Sequence, residues 1–238
     1  MRIRLPMRRS LFFISAFLFA LVALLPLGLA LRWLGLDGRG FSAREAQGSV
    51  WLGLVREARF GSIPLGDLEA RLRFLPLVIG RARVDLDHSG EGEGFEGGIT
   101  VSRHAFGVDD VRATLAPGPV FALVPGASFD LADLSAHFAD GACAGAEGLV
   151  KVGLSGDAAG IPLPRTLSGN ARCDGGALLL PLVGQSGMER LDLRLYEDGR
   201  YRIELLLRPT DEAARQRLAA AGFTAAGAAF AMRAEGRF

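Results

Sequence analysis

From Gly48 onward apolar and polar residues alternate in short runs, and the two clearest runs face each other across an Asp-Gly pair. Leu191, Leu193 and Leu195 alternate with Arg190, Asp192 and Arg194. After Asp198-Gly199, residues Tyr201, Ile203, Leu205 and Leu207 alternate with Arg202, Glu204 and, beyond the apolar Leu206, Arg208. A period of two gives a strand with one dry face and one wet face. Asp-Gly between two such runs predicts a hairpin closed by a type I′ turn, which needs positive φ at both central residues.

The same pattern recurs upstream. Val50, Leu52 and Leu54 alternate, then Leu68, Ala70, Leu72 and Phe74 alternate with Glu69, Arg71 and Arg73, with Pro64 to Asp67 as the turn between them. Ala82, Val84 and Leu86 follow, then Ile99 and Val101, then Val111, Ala113 and Leu115, and later Val150, Val152 and Leu154. Pro117-Gly118-Pro119, Pro125-Gly126 and Ile161 to Pro164 interrupt the theme, and Phe129 to Phe138 is ambiguous. The one helical pattern beyond the N-terminus starts with Thr210 as cap and Asp211 and Glu212 in its first turn. It carries Asp211 and Arg215 as an i, i+4 pair and ends at Gly222. Strands spaced about ten residues apart with few helices predict an antiparallel sheet in meander order. Its long apolar face must be covered by curling over, by the helix, or by lipid.

The N-terminus has a different pattern. Leu11 to Leu31 carry no charge, and Arg2, Arg4, Arg8 and Arg9 precede them without an acid. Such a run, at about 1.5 Å per residue, matches a bilayer core of roughly 30 Å, and the arginines place its start in the cytoplasm. The predicted organisation is a cytoplasmic tail over 1–10, a transmembrane anchor over 11–31, a linker over 32–47 and a periplasmic β-rich domain over 48–238. A cleaved signal peptide ending at the small-x-small Gly28-Leu29-Ala30 is the rival reading. The run exceeds the usual signal h-region and continues into Trp33-Leu34, which favours the anchor.

Composition adds exclusions. The chain has 238 residues and a net charge of +1, too small to draw in nucleic acid. Lys151 is the only lysine among 27 basic residues, which reflects nucleotide composition more than phosphate recognition. Gly92 to Gly97 matches GxGxxG, yet opens no helix and carries two glutamates, so it reads as a loop. His88, His104 and His137 lack metal-ligand spacing, and Asp109-Asp110 reads as a solvated turn. With no GxSxG elbow, no catalytic, cofactor or metal residue is assigned and no small-molecule substrate is implied. Cys143 and Cys173, the only cysteines, both lie on the exported side and are expected to form a disulfide. The final Phe238 fits the last strand of an outer-membrane barrel, but two Tyr and two Trp do not supply its aromatic girdles.

A succession of segments resembles the type II secretion system protein N family. It begins with GSVWLG at Gly48 to Gly53 and IPLGDL at Ile63 to Leu68, then RLRFLPLVIGRARVDL at Arg71 to Leu86. SGNARCDGGALLLPL from Ser168, the DGRY turn at Asp198 to Tyr201 and the LRPTDEAARQRLAAAGF helix from Leu207 complete it. That family is similar to the wider AsmA-like group, with an N-terminal membrane helix and a curved, largely antiparallel sheet. The resemblance implies a non-enzymatic component of the secretion machine, held at the inner membrane and reaching into the periplasm. Its partners would be other inner-membrane secretion-system proteins and membrane lipid, and the family has no catalytic residues to carry over. The alternative is a protein that handles lipid or another hydrophobe, with Leu191, Leu193, Leu195, Tyr201, Ile203, Leu205 and Leu207 lining an open groove.

Overall fold

In the computed structural model, which describes residues 7–33, 41–61, 63–88, 94–115, 128–154, 157–158, 161–162 and 165–237, the alternating runs become antiparallel strands. The N-terminal half contains β1 (Phe41–Ser42), β2 (Glu45–Ser49), β3 (Leu52–Phe60), β4 (Ile63–Arg73), β5 (Ala82–His88), β6 (Glu96–Val101), β7 (Ala105–Leu115) and β8 (Ser128–Ala139). The rest contains β9 (Ala142–Gly153), β10 (Asp157–Ala158), β11 (Ile161–Pro162), β12 (Thr166–Asn170), β13 (Arg172–Asp174), β14 (Ala177–Gly184), β15 (Glu189–Leu195), β16 (Arg200–Leu207), β17 (Thr224–Ala226) and β18 (Ala229–Arg237). Helices are α1 (Met7–Ala23), α2 (Leu27–Trp33), α3 (Phe74–Val78) and α4 (Glu212–Ala220). All strands but the β10–β11 pair join one sheet, ordered β1-β3-β4-β5-β6-β7-β8-β9-β12-β14-β15-β16-β18-β17, with β2 beside β3 and β13 beside β14. The sheet is therefore an open meander until β16, after which α4 carries the chain across and β18 docks back on β16. Strands β1 and β2 lie in the stretch read from the sequence as a linker.

One face of this sheet becomes the core because the sheet bends. Extra residues interrupt the registers of β3 with β4, β6 with β7, β7 with β8 and β8 with β9. Glu57, Asp110 and Asp133 occupy three of these bulges at φ of 49°, 53° and 52°. Bonds from the neighbouring strand hold two of these left-handed residues by their amides. Asp67 accepts from the Glu57 amide at 2.8 Å, and the Ser135 hydroxyl accepts from the Asp110 amide at 3.0 Å. Bulges increase local twist and bend the strand, so several on neighbouring strands roll the apolar face inward.

A bulge also reverses which parity faces in. In β8, Phe129 and Leu131 join the core before Asp133, whereas Leu134, Ala136 and Phe138 join it after. That shift is why the stretch is ambiguous in the sequence. In β3, Gly53 and Val55 face in before the bulge and Ala58 after it, so Leu52 and Leu54 lie on the outer face, opposite to the alternation read from sequence.

The interior divides in two. A large cluster runs from Val111 to Phe223 and takes in Val150, Val152, Leu167, Leu180, Leu182, Leu191, Leu205 and Leu218 of α4. A small one contains Leu27, Val55, Ala58, Leu68, Ala70 and Leu86. Helix α4 starts one residue later than the sequence suggests. Asp211, not Thr210, is the cap, its carboxylate accepting from the Ala214 amide at 2.6 Å, and Arg215 pairs with Glu212 at 3.1 Å instead of with Asp211.

The uncharged N-terminal run is not one helix. Pro26 has no amide hydrogen and interrupts the ladder, leaving α1 with 17 residues and α2 with 7. Among the described residues no helix is long and apolar enough to cross a membrane.

Candidate functional site

The place where the N-terminal helices meet the sheet is built by the GSVWLG segment. Gly48, at φ +84°, turns β2 towards β3, and a Cβ there would come within 2.6 Å of the Leu52 carbonyl oxygen. The Val50 amide donates to the Leu25 carbonyl at 3.0 Å, and the Leu72 amide donates to the Val50 carbonyl at 3.0 Å. Trp51 Nε1 donates to the Val22 carbonyl at 3.0 Å, one of the last carbonyls of α1. Pro26 bridges to Ser49. Leu27, only 4% exposed, lies directly over Gly53, whose absent side chain makes room for it. The chain is thus bonded to the sheet just before and at the break, and after it α2 packs on the sheet through Leu27.

The Cys143–Cys173 pair forms a disulfide with Cα atoms 5.5 Å apart. Its position follows from the ladder. Pairing of β12 with β9 stops at Asn170 opposite Leu149, and β13 then pairs with β14. The covalent bond ties β13 to β9 where that pairing has ended, and the Cys143 amide donates to the Gly176 carbonyl at 2.8 Å nearby. The sequence suggested this pair from compartment and count, and a sheet rim is where it lies.

The hairpin residues also come together, in register Leu191 with Leu205, Leu193 with Ile203 and Leu195 with Tyr201. Leu191, Leu193, Ile203, Leu205 and Leu207 are only 2–3% exposed, and Leu195 and Tyr201 pack half-buried against the same cluster. They line a filled interior and not an open groove. Their turn also differs from the expected type I′. The Gly199 amide donates to the Tyr196 carbonyl and only Gly199, at φ 82°, is left-handed, which is a type I turn followed by a glycine bulge. The two-residue Asp-Gly turn with both residues at positive φ is instead Asp140-Gly141, between Ala139 and Ala142. That dipeptide was a signal in the sequence, hidden by the bulged strand before it.

On the outer face of β5 to β8 lies a polar row that sequence reasoning missed. Asp109 accepts from Thr100 Oγ1 at 2.6 Å and lies 2.8 Å from His137 Nε2 and 3.6 Å from Arg83. Arg83 also pairs with Asp85, whose hydrogen bond is the main cause raising the guanidinium above its ordinary value. Asp109 and Asp110 are therefore strand residues at a bulge, not a solvated turn. Both Asp109 carboxylate oxygens are engaged within the sheet, so the row reads as cross-strand stabilisation. His88 ends β5 and His104 sits in the β6–β7 turn, so the three histidines stay apart, and among the described residues no group of His, Cys, Asp or Glu is placed to hold a metal. The Gly92–Gly97 match lies partly outside the described residues, with Glu96 and Gly97 in β6.

A family model for the type II secretion system protein N matches residues 39–233. This chain belongs to that family. The matched region runs from just before β1 into β18, so the protein N assignment rests on the whole sheet and not on one motif. Comparison with curated proteins and with solved structures returns no match. Protein N membership makes the chain a component of a type II secretion system and implies contact with other components of that system.

Proposed function

We propose that the chain is a non-enzymatic accessory component of a type II secretion system, held at the inner membrane by α1 and working in the periplasm through its curled sheet. The family match over residues 39–233 carries the reading. Around it, the outer-face Asp109 is taken up across strands by Arg83 and His137, and the inner face of β7 to β18 is filled by the chain's own apolar residues.

The anchor reading rests on α1. Leu11, Phe12, Ile14, Phe17, Phe19 and Leu21 project from it without covering protein. Its 17 residues span about 26 Å, a few ångströms short of a bilayer core. Local thinning accommodates a mismatch of that size at modest cost. Cleavage after Ala30 would discard Leu27 and the bonds from Trp51 and Val50 to Val22 and Leu25, all part of the folded sheet. That cost favours an uncleaved N-terminus. The disulfide fits an oxidising compartment beyond the inner membrane.

Deleting the gene should lower export of folded periplasmic cargo or the level of the inner-membrane secretion proteins. Normal export and normal levels across several growth conditions would contradict the role. A reporter active only in the periplasm, fused after Phe238, should be active, and the chain should resist carbonate extraction. A mature protein starting at Leu31 would contradict the anchor.

A further inference from the structure

The most exposed apolar surface of the folded domain lies on α3. The sequence between Arg73 and Arg81 is FLPLVIG, and the alternation read there predicts that Phe74 continues a strand. Instead Phe74 opens a short helix, with Pro76 tolerated in its first turn and Gly80 at φ 75° ending it. No residue of α3 is buried. Phe74, Leu75, Val78 and Ile79 are 63%, 81%, 71% and 72% exposed. Elsewhere in the sheet large exposed apolar residues, such as Leu52, Leu149 and Val183, stand apart from one another. A contiguous apolar cluster on a soluble surface marks contact with a membrane or another protein.

Position decides between those. Phe74 follows directly on β4, beside the turn that holds the end of α1, and its ring lies 6.2 Å from Trp51. Trp51 is itself bonded to the Val22 carbonyl at the C-terminal end of α1. So α3 and the point where α1 leaves the bilayer are fixed side by side at one end of the strands. Arg71 and Arg73 precede the apolar segment along the chain and Arg81 and Arg83 follow it. Arg71 and Arg73 pair with Glu69 and Asp85, while the exposed Arg81 side chain has no ion-pair partner among the described residues. An apolar tip flanked by arginines, with a tryptophan whose N–H is satisfied, suits the boundary between headgroups and acyl chains.

We propose that α3 inserts into the periplasmic leaflet of the bilayer that α1 enters, as a second, in-plane membrane contact that sets how the sheet stands on the membrane. The proposal rests on the anchor reading for the identity of the bilayer. Inserting α3 also brings the end of the sheet down to the headgroups, where a helix a few ångströms shorter than the hydrocarbon core must end. Two fixed points restrict rotation of the domain about α1, whereas one does not. With Trp51 bonded to α1 and its ring tilted against Phe74 of α3, the two contacts share one corner of the sheet.

The test uses the full chain in vesicles of phosphatidylethanolamine and phosphatidylglycerol. A polarity-sensitive fluorophore is attached at Leu75→Cys and, separately, at Ser186→Cys in the turn between β14 and β15, at the other end of the strands. Lipids brominated in the acyl chains should quench the label at position 75 several-fold more than the label at 186. Replacing Val78 and Ile79 by serine should return the position-75 label to the level seen at 186. Both side chains are exposed, so the substitutions leave the core intact, and an unchanged thermal transition checks this. Equal quenching at 75 and 186 in a chain that resists carbonate overturns the proposal and leaves the anchor standing. A chain that carbonate releases, but whose position-75 label was quenched beforehand, overturns the anchor and supports insertion of α3. Shielding of position 75 in native membranes without quenching in pure lipid overturns the proposal in favour of a protein partner.

Discussion

The two cores of this sheet are unequal. Under β7 to β18 the interior is a continuous cluster fed by large side chains, with Leu167, Leu182 and Leu218 fully shielded. Under β2 to β6 it is six buried residues, two of them alanines, and one, Leu27, comes from α2 outside the sheet. Both halves use the same antiparallel ladder, so hydrogen bonding does not distinguish them. What distinguishes them is closure. The C-terminal half curls far enough for its own strands and α4 to cover one another, whereas the N-terminal half borrows a helix for its cover. The C-terminal half is therefore self-sufficient, and the N-terminal half is conditional on its junction with α1 and α2.

The largest effect should come from charging the large core. Leu205→Arg buries an unpaired guanidinium among Leu191, Ile203 and Leu207, at a cost of several kcal/mol, comparable to the whole stability of a domain. No cooperative unfolding transition should remain. A folded, lipid-bound Leu205→Arg protein would mean that this face is open after all.

Removing the disulfide comes next. The bridged residues are 30 apart, so Cys143→Ala with Cys173→Ala should lower stability by about 3–4 kcal/mol in the chain-entropy picture, read as a fall in the urea midpoint. The loss should appear in the large core's transition, because Cys143 packs on that cluster.

Leu27→Ala in the small core should cost about 2–3 kcal/mol, the lower part of the range for buried leucines. Its effect should be local, raising protease sensitivity between β2 and β4 while the β14–β16 region stays resistant. Equal loosening of both regions would mean that the two cores unfold as one.

How much of this was legible follows the same division. The β15–β16 hairpin has uninterrupted alternation, and its pairing and burial follow from the residues alone. Its turn, however, is a type I turn with a glycine bulge and not the type I′ expected, which moves the register by one residue. The mainly β antiparallel architecture was legible for the same reason, whereas the disulfide followed from compartment and cysteine count and the family from the succession of matching segments. Bulges defeated the reading elsewhere. One extra residue at Asp133 reverses parity within β8, so a window centred there averages two opposite patterns. The Asp110 bulge likewise made a strand look like a turn. Phe74 failed for another reason, because Pro76 and Gly80 license a short helix whose apolar surface has no partner inside the chain. At Pro26 the hydrophobicity of the run outweighed the missing amide, and the break into α1 and α2 went unread. The polar row at Asp109 is assembled across four strands, so no local pattern announces it.

The smallest effect concerns the exposed tip of the hairpin. Arg200 donates to Asp198 and holds its carboxyl below the ordinary value of 3.8. A depressed carboxylate contributes stability above its ordinary value and loses it as pH falls from there through the folded value. Acidification below 3.8 should therefore loosen the Asp198–Arg200 turn first, seen as faster exchange at the Arg200 amide, which donates to Asp198 at 3.2 Å. Unchanged exchange there would remove the turn's dependence on this pair.

The inequality of the two cores is tested most directly by hydrogen–deuterium exchange on the full chain in a lipid bilayer. Strands β14, β15 and β16 should open only with global unfolding, while β3, β4 and β5 exchange through a lower-energy local opening. Leu27→Ala should widen that gap by speeding exchange in β3 to β5 alone. Equal protection across both regions, or slower exchange in β3 to β5, would contradict the account.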